Sequence, residues 1–110
     1  MRLPNAENAF IPDDKLYGYC LSEEHPYGKH KAFLFKTLLE ISYENAEVLR
    51  NAILEAVLVH EAIHTKTISF GKLYTVDFPF ERNNRSVVIR SGWIFRNEED
   101  FPRLTTCFIL

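Results

Sequence analysis

The chain is poor in the residues that would tie a small fold together through covalent links or metal. It has 110 residues and only two cysteines, Cys20 and Cys107. Two cysteines make no disulfide framework, and no zinc-ligand spacing surrounds them. Four glycines are scattered singly, so there is no glycine-rich phosphate loop. No apolar run approaches the length of a membrane span, and the opening Met1-Arg2-Leu3-Pro4-Asn5-Ala6 has no apolar signal core. The expectation is a cytoplasmic chain with reduced thiols and no membrane contact. Positive charge is also lacking: the formal net charge is -2. That excludes gripping long duplexes by bulk charge, so DNA is not an expected partner, and any nucleic-acid contact must be local.

What is present is apolar and aromatic. Hydrophobic residues make up 46% of the chain, and nine Phe and five Tyr argue for a packed globule rather than a disordered tail. With no repeat, linker or low-complexity tract, residues 1–110 read as a single domain.

The hydrophobic period divides the chain in two. A turn at Ile11-Pro12-Asp13-Asp14 leads into a short helix from Asp13 to about Leu21, with Leu16, Tyr19 and Cys20 inward. Pro26 breaks the chain and opens a second helix near Pro26 or Tyr27, running to about Glu40. Ser42 caps a third helix from about Tyr43 to His60, whose stripe is Leu49, Ala52, Ile53, Ala56, Val57 and His60. Beyond His60 the period becomes two. Strands are expected at Ala62–Phe70, Lys72–Glu81, Ser86–Arg96 and Arg103–Leu110, with a hairpin at Arg82-Asn83-Asn84-Arg85. In the third strand Val87, Ile89, Ser91, Trp93 and Phe95 share the most apolar face, which should lie under the helices. The fold class is therefore α+β: N-terminal helices packed on a four-stranded antiparallel sheet.

Chemistry concentrates in His25-Pro26-Tyr27-Gly28-Lys29-His30-Lys31-Ala32. From His25 to Leu39 there are three lysines and two histidines and no acid. A helix start adds N–H groups and a dipole that favour anions. Lys29 and Lys36 fall on the solvent stripe of the second helix, whereas Lys31 falls among Leu34, Phe35 and Leu38. An ammonium there must snorkel to water or project into a pocket between helix and sheet. His25, fixed by Pro26, and His30, at the border of the two faces, are candidate proton shuttles. His60 reads as a core histidine, and His64 could face either side of its strand. On the sheet, Arg90, Arg96 and Arg103 could bind phosphate if they converge with Lys31, and Ser91, Thr105 and Thr106 offer hydroxyls. Spacing leaves open which strand face meets the helix end. Neither the histidines nor Glu98-Glu99-Asp100 form a metal-ligand pattern, so no metal or cofactor is expected.

Two signatures resemble a known family. Leu3-Pro4-Asn5-Ala6, Lys15-Leu16, Tyr19, His25-Pro26, Gly28, Lys31-Ala32 and Phe35 form the first; Arg90-Ser91, Trp93-Ile94 and Asp100-Phe101-Pro102-Arg103-Leu104 through Leu110 form the second. Together they resemble the bacterial family labelled "domain of unknown function 6883". The first is also similar to a pattern at the ends of polymorphic and phage-carried toxins, grouped with the barnase–EndoU–colicin–RelE class of ribonucleases. The resemblance implies that ribonuclease fold and RNA cleavage without metal. It carries over to His25, Lys31, Arg90, Ser91 and Thr106; with the residues read from the helix start and the sheet, the expected catalytic set is His25, Lys31, His30, Arg90 and Thr106, and Lys29, Ser91 and Arg103 are expected to hold substrate. It also implies a small cognate antitoxin-like protein as partner, the chain being the toxin of the pair. The alternative expectation is a non-enzymatic protein-binding module, an antitoxin, immunity protein or partner subunit. An enzyme should hold Lys31, a histidine and an arginine together in a concave pocket, and a binding module should present a flat or apolar patch there.

Overall fold

The switch of period after His60 is where helix gives way to sheet. The computed structural model describes residues 1–110. Strands β1 (Ala62–Ile68), β2 (Gly71–Arg82), β3 (Arg85–Arg96) and β4 (Arg103–Ile109) form one antiparallel sheet in the order β1-β2-β3-β4. This is the expected meander. Its tightest turn is built on two asparagines: Asn83 and Asn84 have φ of 55° and 58°. Asparagine tolerates that region, and two positive φ values make the primed turn whose twist suits a hairpin.

Alternation along β3 separates the faces as expected. Trp93 is 1% exposed and Ile89 is fully buried. Across the register Tyr74 lies opposite Trp93, Phe78 opposite Ile89, and Cys107 opposite Ser91. These residues meet the helices and form one core with Leu16, Phe35, Leu39, Leu49 and Ile53. Each large side chain so buried contributes about 1.5–3 kcal/mol. The other face carries Thr75, Asp77, Val88, Arg90, Ile94, Thr106 and Phe108 and is not covered by a helix.

Three helical segments roof the core, and each departs slightly from its expected bounds. One turn of α-helix, α1 (Asp13–Lys15), runs directly into a π-helical segment (Leu16–Cys20). The wider turn buries Leu16 and Cys20 and leaves Gly18 outside. Helix α2 (Lys29–Leu39) starts later than Pro26. The cause is the His25 ring, whose Nδ1 accepts the N–H groups of Tyr27 and Gly28, both at 3.0 Å, and holds residues 25–28 in a turn. Helix α3 (Ala46–Val59) follows a 3-10 turn (Tyr43–Asn45). Ser42 and Asn45 form a capping box, with Asn45 Oδ1 accepting the Ser42 N–H at 2.8 Å. His60 is not a core histidine. It lies past the helix in extended backbone, half-buried beside Phe78, without a side-chain hydrogen bond. No helix is long and apolar enough to cross a membrane.

Candidate functional site

The buried stripe of α2 is Ala32, Phe35 and Leu39. Lys31 borders this stripe, on the side facing β4. Its ammonium reaches the edge of the uncovered sheet face and donates to Tyr19 Oη at 2.8 Å and Thr106 Oγ1 at 3.2 Å. It also stands 4.7 Å from the Tyr19 ring centre and 4.9 Å from that of Phe108. Aromatic faces attract a cation, so both rings stabilise it there. No carboxylate lies within 4.0 Å of it. Lys31 is thus a half-buried, oriented cation without a counter-ion.

Two local devices bring these groups together. The Cβ that Gly28 lacks would stand 2.1 Å from the Tyr19 carbonyl oxygen, so only glycine lets the residue 25–28 turn seat on the π-helical segment. Seated there, the His25 ring meets Tyr19 edge-on, with centres 4.7 Å apart. On the sheet, Gly92 lies opposite Thr106, and Thr105 is an extra residue between the Gly92–Thr106 and Trp93–Leu104 pairs. A Cβ on Gly92 would stand 3.0 Å from Thr106 Cγ2 and 3.1 Å from Thr105 Oγ1. The missing side chain makes room for both threonines of the bulge.

The other expected site residues divide. His25 acts first as a cap: two N–H donors occupy its Nδ1, so the neutral ring carries its proton on Nε2 and offers a donor, not a base. His30 and Lys29 are exposed in the first turn of α2 and make no side-chain hydrogen bond or ion pair. Arg90 shares the uncovered face with Lys31 and is paired in register with Phe108, the ring on which the ammonium rests. Its Nε and Nη2 are held by the two oxygens of Asp77, each at 2.8 Å, which leaves Nη1 free. Asp77 went unnoticed in the sequence because only the strand register sets it opposite Arg90. Tyr19 and Phe108 carried no charge to attract attention.

Ser91 and Arg103 do not join the cluster. Ser91 faces the core and is fully buried; its hydroxyl donates to the Val76 carbonyl at 2.8 Å and accepts from Trp93 Nε1 at 2.9 Å. A substrate-binding part for Ser91 is therefore corrected: adjacent residues of a strand point to opposite faces, and Arg90 has the open one. Arg103 is bound through Nε and Nη2 to Glu99, at 3.2 and 2.6 Å, and lies between the rings of Phe10 and Phe101. This guanidinium holds the Glu99 carboxyl below its ordinary pKa. Arg103 instead borders a cavity of about 420 Å³ between α1 and the end of the sheet, which Thr105 also lines.

Beneath the site lie the two thiols, both free and buried. The Cys107 N–H donates to Cys20 Sγ at 3.1 Å, and the hydrogen bond between the two thiols, with burial, pushes Cys107 well above its ordinary pKa. A thiol so protected is a poor nucleophile. No three His, Cys, Asp or Glu side chains gather in a metal-binding arrangement.

No curated protein and no solved structure matches the chain. A family model does, over residues 2–110, and its span takes in both signatures noted in the sequence. By that match the chain belongs to the domain-of-unknown-function family DUF6883.

Proposed function

We propose that this protein is a metal-independent, toxin-type ribonuclease whose scissile phosphate binds at Lys31. The observation that carries this reading is the half-buried ammonium, held by two hydroxyls and two rings and without a carboxylate. A cation so placed is available to an external anion, and its charge is worth more there than in water. The helices-then-meander order agrees with the layout of the barnase–EndoU–colicin–RelE ribonucleases.

The chemistry follows from the groups at hand. The ribose 2′-oxygen forms a bond to phosphorus as the bond from phosphorus to the 5′-oxygen breaks. The products are a 2′,3′-cyclic phosphate and a free 5′-hydroxyl. Lys31, the Nε2–H of His25 and the free Nη1 of Arg90 offset charge on the phosphoryl oxygens. Tyr19 accepts from Lys31 and so keeps its own proton to give to the departing 5′-oxygen. His30, exposed and unpartnered beside Lys31 in sequence, takes the 2′-hydroxyl proton. Thr106 positions the ammonium.

One observation favours the other reading, a protein-binding module. Tyr27 and Phe33, flanking the same helix start, are 77% and 62% exposed, an apolar surface suited to a partner. The deciding experiment is an RNA cleavage assay in EDTA, with ends mapped, on wild type, Lys31→Met and His30→Ala, folding being checked by circular dichroism. The ribonuclease reading expects cleavage in chelator and a loss on the order of 10²–10³-fold for Lys31→Met, by analogy with a lost oxyanion donor. His30→Ala should lose about 10²–10⁴-fold. A wild type that leaves RNA intact, and is harmless when expressed without any cognate antitoxin-like partner, gives the case to the binding module.

A further inference from the structure

The cavity beside Thr105 has no part in the cluster around Lys31, yet it adjoins it. Thr105 lines the cavity and Thr106, the next residue, accepts from Lys31. Both lie on the uncovered sheet face, joined by the space that Gly92 leaves. The volume of about 420 Å³ falls in the range of small-ligand pockets, about 300–1,000 Å³.

The lining has a definite chemical character. Ile94 supplies an apolar floor, and Phe70 at the rim is 60% exposed, an aromatic ring with a free face. Arg103 is hydrogen-bonded to Glu99 at 2.6 Å, and Arg96 approaches the same carboxylate at 3.9 Å without a hydrogen bond. The groups left without a salt bridge are one ammonium, Lys15, and two carboxylates, Asp14 and Glu98. An apolar floor with an aromatic rim suits a flat ring. Free carboxylates accept hydrogen bonds and cannot donate them, so they favour a ring edge bearing N–H groups. A single free ammonium suits one flanking phosphate.

We propose that this cavity is a nucleobase subsite of the same RNA site, taking the base next to the phosphate held at Lys31 and preferring bases with an exocyclic amino group. The base stacks on Phe70, and its amino group donates to Asp14 or Glu98. Lys15 meets the next phosphate. Single-stranded RNA is recognised in this way, by stacking on aromatic rings and hydrogen bonding at base edges. Uracil fits worse, because carbonyl oxygens flank its one N–H and meet the carboxylates with like polarity.

This subsite rests on the ribonuclease reading, so its test uses binding as well as cleavage. The probes are deoxydinucleotides of adenine, cytosine and uracil. They lack the 2′-hydroxyl and cannot be cut, and binding is followed by NMR of the Ile94 methyl groups in wild type, Phe70→Ala and Glu98→Gln. The adenine and cytosine probes should bind more tightly than the uracil probe and move the Ile94 signal. Phe70→Ala should weaken them by about 5- to 150-fold, the value of one stacked base. Glu98→Gln, whose amide can also donate, should narrow the gap between adenine and uracil. Absence of binding, equal affinity for all three bases, or indifference to Phe70→Ala overturns the subsite. Base-selective binding at Ile94 without cleavage of RNA would retain the subsite and remove the catalytic reading. Cleavage with unselective binding would do the reverse.

Discussion

Removing the Ser91 hydroxyl tests whether this residue belongs to the core or to a substrate site. Its oxygen is the partner of a fully buried indole N–H, at 2.9 Å, and also donates to the Val76 carbonyl at 2.8 Å. Ser91→Ala removes one oxygen and so leaves almost no cavity; its effect lies in the stranded Trp93 Nε1–H. An unpaired buried donor costs about 1–3 kcal/mol. At about 4–8 °C per kcal/mol for domains near this size, Tm should fall by roughly 4–24 °C. The control is Trp93→Phe, which removes the donor itself. In that background Ser91→Ala loses only the bond to Val76, about 0.5–1.5 kcal/mol. The two substitutions should therefore couple by about 1 kcal/mol, read from urea unfolding followed by far-ultraviolet circular dichroism, since Trp93 is the only tryptophan. Zero coupling, or a Ser91→Ala protein as stable as wild type, would refute the assignment. A Ser91→Ala protein that is stable yet unable to bind nucleotide would restore the substrate role.

Gly28→Ala should destabilise by at least about 1–3 kcal/mol, because the added Cβ meets the Tyr19 carbonyl oxygen at 2.1 Å and backbone must move; loss of the Lys31–Tyr19 contact should appear in the NMR spectrum of the Lys31 ammonium, and an unchanged spectrum would count against the close approach. Glu99, with its pKa depressed by Arg103, stabilises the fold above the ordinary carboxylate value of 4.5, and that contribution is lost as pH falls through its lower folded value. Glu99→Gln should accordingly flatten the acid limb of the stability curve below about pH 4.5; a limb as steep as wild type would mean the ion pair is immaterial. Cys20 and Cys107 should resist iodoacetamide in the native protein and react fully in guanidinium, as mass spectrometry would reveal; rapid native labelling would contradict their burial.

The sheet was legible because its signals are local. Alternation in β3 identified Trp93, Ile89 and Val87 as the inward set, and Asn83-Asn84 marked the turn by conformational preference alone. Helix α3 was legible from its stripe and from Ser42. The entry to α2 was not, because a histidine acting as a cap is a contact between a side chain and N–H groups two and three residues on, and nothing in the hydrophobic period reports it. The π-helical turn was equally hidden. Its extra residue per turn keeps Leu16 and Cys20 inward, as an α-helix would also do, so the pattern does not distinguish them.

The site divides along the same line between local and long-range. Lys31 stood out because a stretch from His25 to Leu39 without an acid, with one lysine off the solvent stripe, is a statement about fifteen neighbours. Where its ammonium goes is decided by Tyr19 and Thr106, 12 and 75 residues away, and by Phe108. Arg90 and Ser91 illustrate the limit most sharply. They are adjacent in one signature and were both expected at the site, Arg90 as a catalytic cation and Ser91 as a substrate contact, yet the two-residue period sends one to the open face and the other into the core. The pattern of β3 already contained that answer, since Ser91 shares the apolar set with Trp93. The open face keeps Arg90, and there Asp77 takes two of its five N–H donors. The proposed anion site therefore depends on Lys31, which no carboxylate neutralises, with Arg90 as a secondary contact.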